Sequence, residues 1–232
     1  MHEQTAAIRR QTDFAPALRI NQSLTAGIEK RALQWMARHA PRRLTSDHLT
    51  ALGLGAQIAA GVFYAVSRFD RLALLLVILF LVLNWLGDSL DGTLARVRKQ
   101  ERPRYGFYVD HIVDIFGSVA LMCGLGLSGL LHWQTATAML VAFLVLSCES
   151  YLASYTLAHF QLSQGVFGPT EIRILLIIGN LALLRSPYAT LFGHRLLLFD
   201  VGGAIAATVM LAMATVVAVR HTRRLYQLEP LA

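Results

Sequence analysis

Charged residues and cysteines are scarce in this chain of 232 residues. Asp, Glu, Lys and Arg make up 15% of it, whereas soluble domains contain about 25%. The two cysteines, Cys123 and Cys148, lie inside apolar stretches without a metal-ligand spacing, which argues against a redox or metal role. These shortages disfavour a soluble globular domain, and they exclude a disordered chain and a disulfide-stapled secreted fold.

Apolar residues are correspondingly abundant, with 55% hydrophobic composition and a mean hydropathy of +0.51. Six runs reach or approach the roughly 18 residues that a membrane span needs. No strand-like alternation accompanies them, and backbone groups in lipid must pair within their own segment, so the spans are predicted helices. The predicted fold is an all-α integral membrane protein with six transmembrane helices. Their approximate bounds are 48–67, 73–97, 106–130, 135–157, 172–191 and 201–219.

The distribution of basic residues predicts the orientation of these spans. Of the 21 Lys and Arg, 17 fall in the N-terminal segment, the second and fourth connections and the tail. The positive-inside rule then places both termini on the cytoplasmic side. The net charge of +7 needs no nucleic-acid partner, because these basic residues flank spans. We expect a cytoplasmic segment over 1–44, a six-helix catalytic domain over 45–220 and a cytoplasmic tail over 221–232.

A further helix is predicted before the first span. Within residues 18–40, apolar side chains recur at helical spacing and basic side chains occupy other faces. This pattern favours an amphipathic helix lying on anionic lipid at the cytoplasmic surface. The alternative is a short helix that only packs against the bundle.

Four carboxylates interrupt two consecutive predicted spans near their cytoplasmic ends. Asp88 and Asp91 are three residues apart, and Asp110 and Asp114 are four apart, so each pair shares one helix face. The two helices are antiparallel neighbours, which should bring the pairs together at one depth. Four adjacent carboxylates in a low dielectric need cations, and hard oxygens suit Mg²⁺ or Mn²⁺. We therefore predict a divalent site, with two ions as the favoured stoichiometry.

Small residues accompany these acids. Gly92 follows Asp88 by one turn, and Gly106 precedes Asp110 by one turn, which leaves room for a ligand. Close helix packing is the other reading of a glycine in a membrane helix. Arg96 lies a turn beyond Gly92, where it could bind a phosphate or act as an interfacial anchor.

Together these residues form the pattern Asp88-x-x-Asp91-Gly92-x-x-Ala95-Arg96, then Gly106-x-x-x-Asp110-x-x-x-Asp114. This pattern resembles the signature of the CDP-alcohol phosphatidyltransferase family. The resemblance implies transfer of a phosphate-linked group from a CDP-alcohol to a hydroxyl acceptor, with release of CMP and two divalent ions. It implies that the four Asp are metal ligands, that Asp114 is also the general base, and that Gly92 and Arg96 contact the nucleotide diphosphate. The resemblance also implies a homodimer.

Two further features bear on catalysis and on the donor. Ser46 and Asp47 belong to a polar stretch before the first span that resembles the cytidine-contacting segment of relatives; either could instead be a helix N-cap. His111 follows Asp110, as in choline and ethanolamine phosphotransferases, and could share in proton transfer. Those relatives carry a Glu where this chain has Phe107, and His111 could also be a hydrogen-bonding wall residue.

Three charged residues in the second half of the chain are candidates for substrate contact. Glu149 lies deep in the fourth span, where an acid would suit an amine. Glu171 could do the same or could simply favour a helix start. Arg173 could bind an acceptor phosphate or mark the membrane edge; as a lone cation it argues mildly against a doubly anionic acceptor.

The sequence leaves the substrate open. The donor could be CDP-diacylglycerol or a CDP-aminoalcohol, and the acceptor an alcohol or a lipid. A cation transporter that uses the intramembrane acids is the alternative function. Transporters usually show internal repeats and broken helices at mid-membrane, and neither feature is evident here.

Overall fold

The computed structural model describes residues 18–20, 26–157, 159–161, 169–191 and 193–230. Helices form nearly all of this part of the chain. The helices are α1 (Ala26–His39), α2 (Ser46–Val66), α3 (Ala73–Val97), α4 (Pro103–Leu127), α5 (Trp133–Leu157), α6 (Pro169–Arg185) and α7 (Leu198–Leu228). The strands are β1 (Leu18–Ile20), β2 (His159–Gln161), β3 (Tyr188–Leu191) and β4 (His194–Leu197).

Five of these helices, α2, α3, α4, α5 and α7, are long and apolar enough to cross a membrane, which makes this an integral membrane protein. The fifth predicted span corresponds to α6, which has 17 residues and ends at Arg185 rather than near residue 191. At 1.5 Å per residue it extends about 25 Å, the lower limit for a crossing. The chain turns at Pro187 into the β3–β4 hairpin instead of continuing the helix.

In the described part of the chain, two pairs of short strands accompany the helices of this otherwise all-helical fold. β1 pairs in parallel with β2, and β3 pairs with β4 around Gly193, whose φ of 81° suits glycine in a tight turn. The predicted amphipathic helix is also shorter than expected, because α1 begins at Ala26. Leu24, counted in that helical pattern, lies outside the described residues.

Close backbone approach of α2 to its two neighbours builds the centre of the bundle. A methyl group added at Gly87 of α3 would lie 2.6 Å from the Leu49 carbonyl oxygen and the Gly53 nitrogen of α2. Gly61 of α2 and Gly124 of α4 make a second contact of this kind. Small residues thus bring both α3 and α4 close to the backbone of α2.

The hydrophobic core lies away from the acidic end of this bundle. It includes Tyr64, Leu74 and Leu125, all of them essentially inaccessible to solvent. Tyr64 accepts a hydrogen bond of 2.8 Å at its hydroxyl from the amide of Asn180, which connects α2 to α6. This contact pairs the Tyr64 hydroxyl with the Asn180 amide nitrogen, while Oδ1 of Asn180 is buried without a hydrogen-bond partner among the described residues.

Helices α5 and α7 run in the same direction. Asp200 at the start of α7 accepts hydrogen bonds from the backbone and the ring of His132, which immediately precedes α5. At their other ends, His221 of α7 lies 2.6 Å from Glu149 of α5. The two helices therefore begin at one end of the bundle, and α6 must return the chain between them.

Helix α1 packs against the acidic end of α3. Leu33 and Ala37 are buried against Leu90 and Leu94, whereas Trp35 on another face is 64% exposed. The apolar face predicted for this helix therefore packs against α3. Contact of the exposed face with lipid remains a prediction.

Candidate active site

The four carboxylates line one cavity at the junction of α2, α3 and α4. Asp88 and Asp91 project from the last turns of α3, and Asp110 and Asp114 from the first half of α4. The antiparallel arrangement thus places them together, as their spacing led us to expect. The walls comprise polar and small residues of α2 and neighbouring residues of α3 and α4: Thr50, Gly53, Leu54, Gln57, Asn84, Asp88, Asp91, Asp110, Val113 and Asp114.

A cation from α6 reaches this cavity. Arg173 donates hydrogen bonds of 2.6 Å to a carboxylate oxygen of Asp88 and 2.8 Å to the amide oxygen of Asn84. Its other guanidinium nitrogen, Nη1, is buried without a hydrogen-bond partner in the described part of the chain. Arg173 thus supplies a side-chain cation beside the acids, and its reading as a mere marker of the membrane edge is wrong.

Residues of α2 fix the other wall. Thr50 donates a hydrogen bond of 2.7 Å from its hydroxyl to Asp91, and Asp91 is almost fully buried. The amide of Asn84 donates to the carbonyl oxygen of Gly53 at 3.0 Å. Because Gly53 and Gly87 bring the two backbones into contact, these side chains can bridge from one helix to the other.

The donor set of this cavity suits Mg²⁺ or Mn²⁺, since all four acids supply hard oxygens. Within the described ranges, no three His, Cys, Asp or Glu side chains are close enough to surround one ion. Asp88 and Asp91 are instead held by Arg173 and Thr50. The acids therefore fit a divalent site in chemistry and location, while Asp88 and Asp91 also have the protein partners just named.

Gly92 and Gly106 do not mediate close helix packing. A methyl group at Gly106 would meet nothing within 4 Å, and one at Gly92 would meet only the guanidinium of Arg96, at 3.4 Å. Arg96 lies over Gly92 and donates to the Thr93 hydroxyl at 3.0 Å. The open space at both glycines is compatible with a ligand beside the acids.

The N-cap of α2 is neither of the two residues predicted for that role. Thr45 is the N-cap, because its hydroxyl accepts from the backbone of His48 and the His48 ring accepts from Thr45 in return. The N-cap readings of Ser46 and Asp47 are therefore wrong. Asp47 forms an ion pair with Arg102, just before α4, and Ser46 begins α2. Asp47 is thereby held near the connection that joins the two acidic helices.

His111 belongs to α4, its ring contacts α5, and it is not among the residues that line the cavity. Its Nδ1 is 2.5 Å from the Phe107 carbonyl, which can only accept, so Nδ1 carries the proton. The ring packs against Phe107 and edge-on to Tyr151. His111 thus hydrogen-bonds within its own helix, but it is not among the residues that line the cavity.

Glu149 and Glu171 do not share one location. Glu149 is paired with His221 inside the α5–α7 contact, so a residue of the chain itself occupies the position proposed for an amine. Glu171 is buried in the first turn of α6, two residues before Arg173. Tyr155, six residues beyond Glu149 on α5, is 90% exposed.

Sequence reasoning missed several polar residues of the site. Thr50, Gln57 and Asn84 line the cavity, and each lies on the face of its helix that carries small or acidic residues. The helical spacing in the sequence could therefore have predicted that they face the cavity. Glu29 of α1, which accepts hydrogen bonds from α3 and α6, had no such signal, because its partners are distant in the chain.

Two curated relatives align with part of this chain. An uncharacterized protein of Aquifex aeolicus is 37% identical over 98 residues, 41% of this chain and 46% of the relative. Archaetidylinositol phosphate synthase of Pyrococcus horikoshii is 30% identical over 121 residues, 52% of this chain and 57% of the relative. The chain spans about half the length of the curated relatives it matches.

A solved structure shares the fold. The chain resembles the Mycobacterium tuberculosis phosphatidylinositol phosphate synthase solved with CDP-DAG bound, with a TM-score of 0.51 and 20% identity over 86% of this chain and 94% of that one. A structure of the same enzyme with manganese and citrate gives a TM-score of 0.48 at 20% identity, covering 85% of this chain and 87% of that one. The family model of CDP-alcohol phosphatidyltransferases matches residues 43–220, and the chain therefore belongs to that family.

Proposed function

We propose that this chain transfers a phosphatidyl-type group from a CDP-linked lipid to the hydroxyl of a phosphorylated alcohol and releases CMP. The observation that carries this proposal is the cavity between α3 and α4, which four carboxylates line and whose Asp88 is paired with Arg173 of α6. Membership of the family supports the reaction class. The names of the relatives support the substrates, since one is an archaetidylinositol phosphate synthase and another a phosphatidylinositol phosphate synthase with CDP-DAG bound.

The donor nucleotide is assigned to the side of the cavity formed by the end of α3. Gly92 offers open space beside Asp91, and the guanidinium of Arg96 lies directly above it. An arginine presents planar donors that match phosphate oxygens in pairs. Arg96 would exchange its contact with Thr93 for the diphosphate, while Ser46 and Asp47 lie at the start of α2, where they could meet the cytidine.

The acceptor is assigned to the side of the cavity formed by α6. Arg173 is largely buried there, and its Nη1 has no hydrogen-bond partner among the described residues. A phosphate on the acceptor alcohol would satisfy that nitrogen and compensate its desolvation. An aminoalcohol is less well supported, because Glu149 already pairs with His221.

The chemical step can be written with the residues of the cavity. The acceptor oxygen bonds to the phosphorus that carries the lipid, the bond from that phosphorus to the bridging oxygen breaks, and its electron pair leaves with CMP. The proton of the acceptor hydroxyl passes to Asp114, which lines the cavity with the other acids. His111 faces an aromatic wall and is the less favoured base.

Two divalent ions, for which Mg²⁺ and Mn²⁺ are the candidates, would be held by Asp88, Asp91, Asp110 and Asp114. When bound, such ions supply positive charge to the diphosphate and stabilise the departing nucleotide. Arg173 and Thr50 then have a second role, because they orient Asp88 and Asp91 before the ions arrive. We place this site, like both termini, on the cytoplasmic side, and we infer a homodimer from the family resemblance.

The test is transfer of radiolabel in purified, lipid-reconstituted protein with a panel of donors and acceptors. CDP-diacylglycerol with inositol phosphate should give labelled lipid and CMP, and a chelator should abolish both products. CDP-choline or CDP-ethanolamine with diacylglycerol should give none. Equal turnover in chelator would refute the metal site, and preference for an aminoalcohol donor would refute the substrate assignment. Cation uptake into the same vesicles without CMP release would support the transporter alternative.

A further inference from the structure

Helix α1 brings one partly buried carboxylate against α3 and α6. Glu29 is the only acidic residue of α1, and a single oxygen, Oε1, accepts three hydrogen bonds. The indole of Trp85 donates at 2.8 Å, the hydroxyl of Ser89 at 3.2 Å and the hydroxyl of Thr170 at 2.8 Å. The first two donors belong to α3 and the third to α6.

These donors lie next to Asp88 and Arg173 along the two helices. Trp85 and Ser89 lie three residues before and one residue after Asp88 on α3, and Thr170 lies one turn before Arg173 on α6. Glu29 therefore binds α3 and α6 beside the place where Arg173 meets Asp88 at 2.6 Å. Hydrogen bonds to a charged acceptor are about twice as strong as neutral ones, so this contact can set the spacing of the two helices.

We propose that Glu29 is a positioning residue: it holds the first turn of α6 against α3 so that Arg173 points into the acid cavity. This inference rests on the function proposed above, in which Arg173 binds the acceptor phosphate. It makes docking of α1 on the bundle a condition for acceptor binding. Glu29 itself does not line the cavity, so it acts through Arg173.

The first experiment measures geometry without activity. Spin labels are placed at the exposed positions Trp35 on α1 and Leu175 on α6, in full-length protein carrying Cys123→Ala and Cys148→Ala. We expect Glu29→Ala to broaden and shift the distance distribution, and Lys30→Ala, a neighbouring charge change on an exposed residue, to leave it unchanged. An unchanged distribution in Glu29→Ala would overturn the proposal whether or not the protein is active.

The second experiment measures kinetics with CDP-diacylglycerol and inositol phosphate. Glu29→Ala and Thr170→Val should each raise the acceptor KM about five-fold or more and leave the donor KM within about two-fold. Glu29→Gln, which keeps an acceptor oxygen, should recover much of the loss. Thr156→Val is the matched control, because that hydroxyl only donates to the Leu152 carbonyl of its own helix.

A double-mutant cycle separates positioning from general stability. In an Arg173→Ala background, Glu29→Ala should not raise the acceptor KM further, because the residue through which it acts is gone. Equal effects with and without Arg173 would overturn the proposal and leave Glu29 a structural residue. Absence of wild-type turnover would instead refute the proposed function, while the distance measurement would still decide whether Glu29 couples α1 to α6.

Discussion

Asp88 and Asp91 lie one turn apart on α3, yet they have partners on different helices. Asp88 accepts from Arg173 of α6, and Asp91 accepts from Thr50 of α2. Their spacing predicted one shared face, and this much could be read from the sequence. The partners could not, because hydrogen bonds between residues 41 and 85 positions apart depend on how the helices pack.

Replacing Asp88, Asp91 or Asp110 by Ala should each lower kcat by about 100-fold or more, since each change removes an oxygen donor from transition-state stabilisation. Asp88→Ala should also lower the melting temperature, because it leaves Arg173 buried without its carboxylate. Turnover and thermal unfolding of the purified variants measure the two effects. Glu101→Gln, at an exposed acid outside the cavity, is the control, and near-normal turnover in any of the three Asp variants would contradict the site.

Arg96→Ala should raise the donor KM more than it lowers kcat. Its proposed partner is a phosphate that is present in both the ground state and the transition state, so its removal weakens binding uniformly. Initial rates at varied CDP-diacylglycerol concentration measure both constants. Arg43→Ala, at an exposed arginine before α2, should change neither; an unchanged donor KM in Arg96→Ala would leave Arg96 an interfacial anchor.

Asp114→Asn should retain donor binding and lose transfer, because an amide offers an oxygen but cannot accept the acceptor's proton. His111→Gln should be much less damaging, since the His111 ring faces Phe107 and Tyr151 rather than the cavity. Nucleotide binding and single-turnover transfer, measured on both variants, distinguish the two residues. Rapid transfer by Asp114→Asn would exclude Asp114 as the base, and a larger loss in His111→Gln would assign that role to the histidine.

At the scale of helices, hydropathy located the spans better than it located their ends. The predicted second span coincides with α3, because charged residues bound its apolar run on both sides. The fifth ended too late: Leu191 belongs to a hairpin, and Pro187 was the available signal, since the residue before proline disfavours helix. The hairpin itself depends on pairing between two short segments that hydropathy cannot detect.

The contact between α2 and α3 gives a prediction about stability. Gly87→Ala should destabilise the protein by about 1–3 kcal/mol, because the new methyl group would meet backbone atoms that cannot move aside alone. Asn84 and Asp88 flank this contact, so activity should fall as well. Gly55→Ala is the matched control, because a methyl group there meets nothing within 4 Å. Thermal unfolding in detergent compares them, and equal melting temperatures would contradict the packing.

At the scale of the whole molecule, the fold follows from how the helices alternate in direction. The contact of His132 with Asp200 and that of Glu149 with His221 make α5 and α7 parallel, so the two ends of α6 lie at opposite ends of the bundle. Charge asymmetry predicted the same alternation from the sequence. The shortness of α6 was not predictable in this way, because a basic-residue count is insensitive to helix length.

The number of crossings can be measured, since it decides the side on which the tail lies. If α6 crosses the membrane, Glu101 and the tail lie on one side and the start of α5 lies on the other. If α6 does not cross, the tail lies on the same side as the start of α5. Single cysteines at the exposed positions Glu101, Gln134 and Glu229, in a background carrying Cys123→Ala and Cys148→Ala, are treated with a membrane-impermeant maleimide in intact cells and in inverted vesicles. We expect Gln134→Cys to react in intact cells, and Glu101→Cys and Glu229→Cys to react only in inverted vesicles. Joint labelling of positions 134 and 229 in intact cells would show that α6 does not cross, and it would separate the tail from the side that carries the acid cavity.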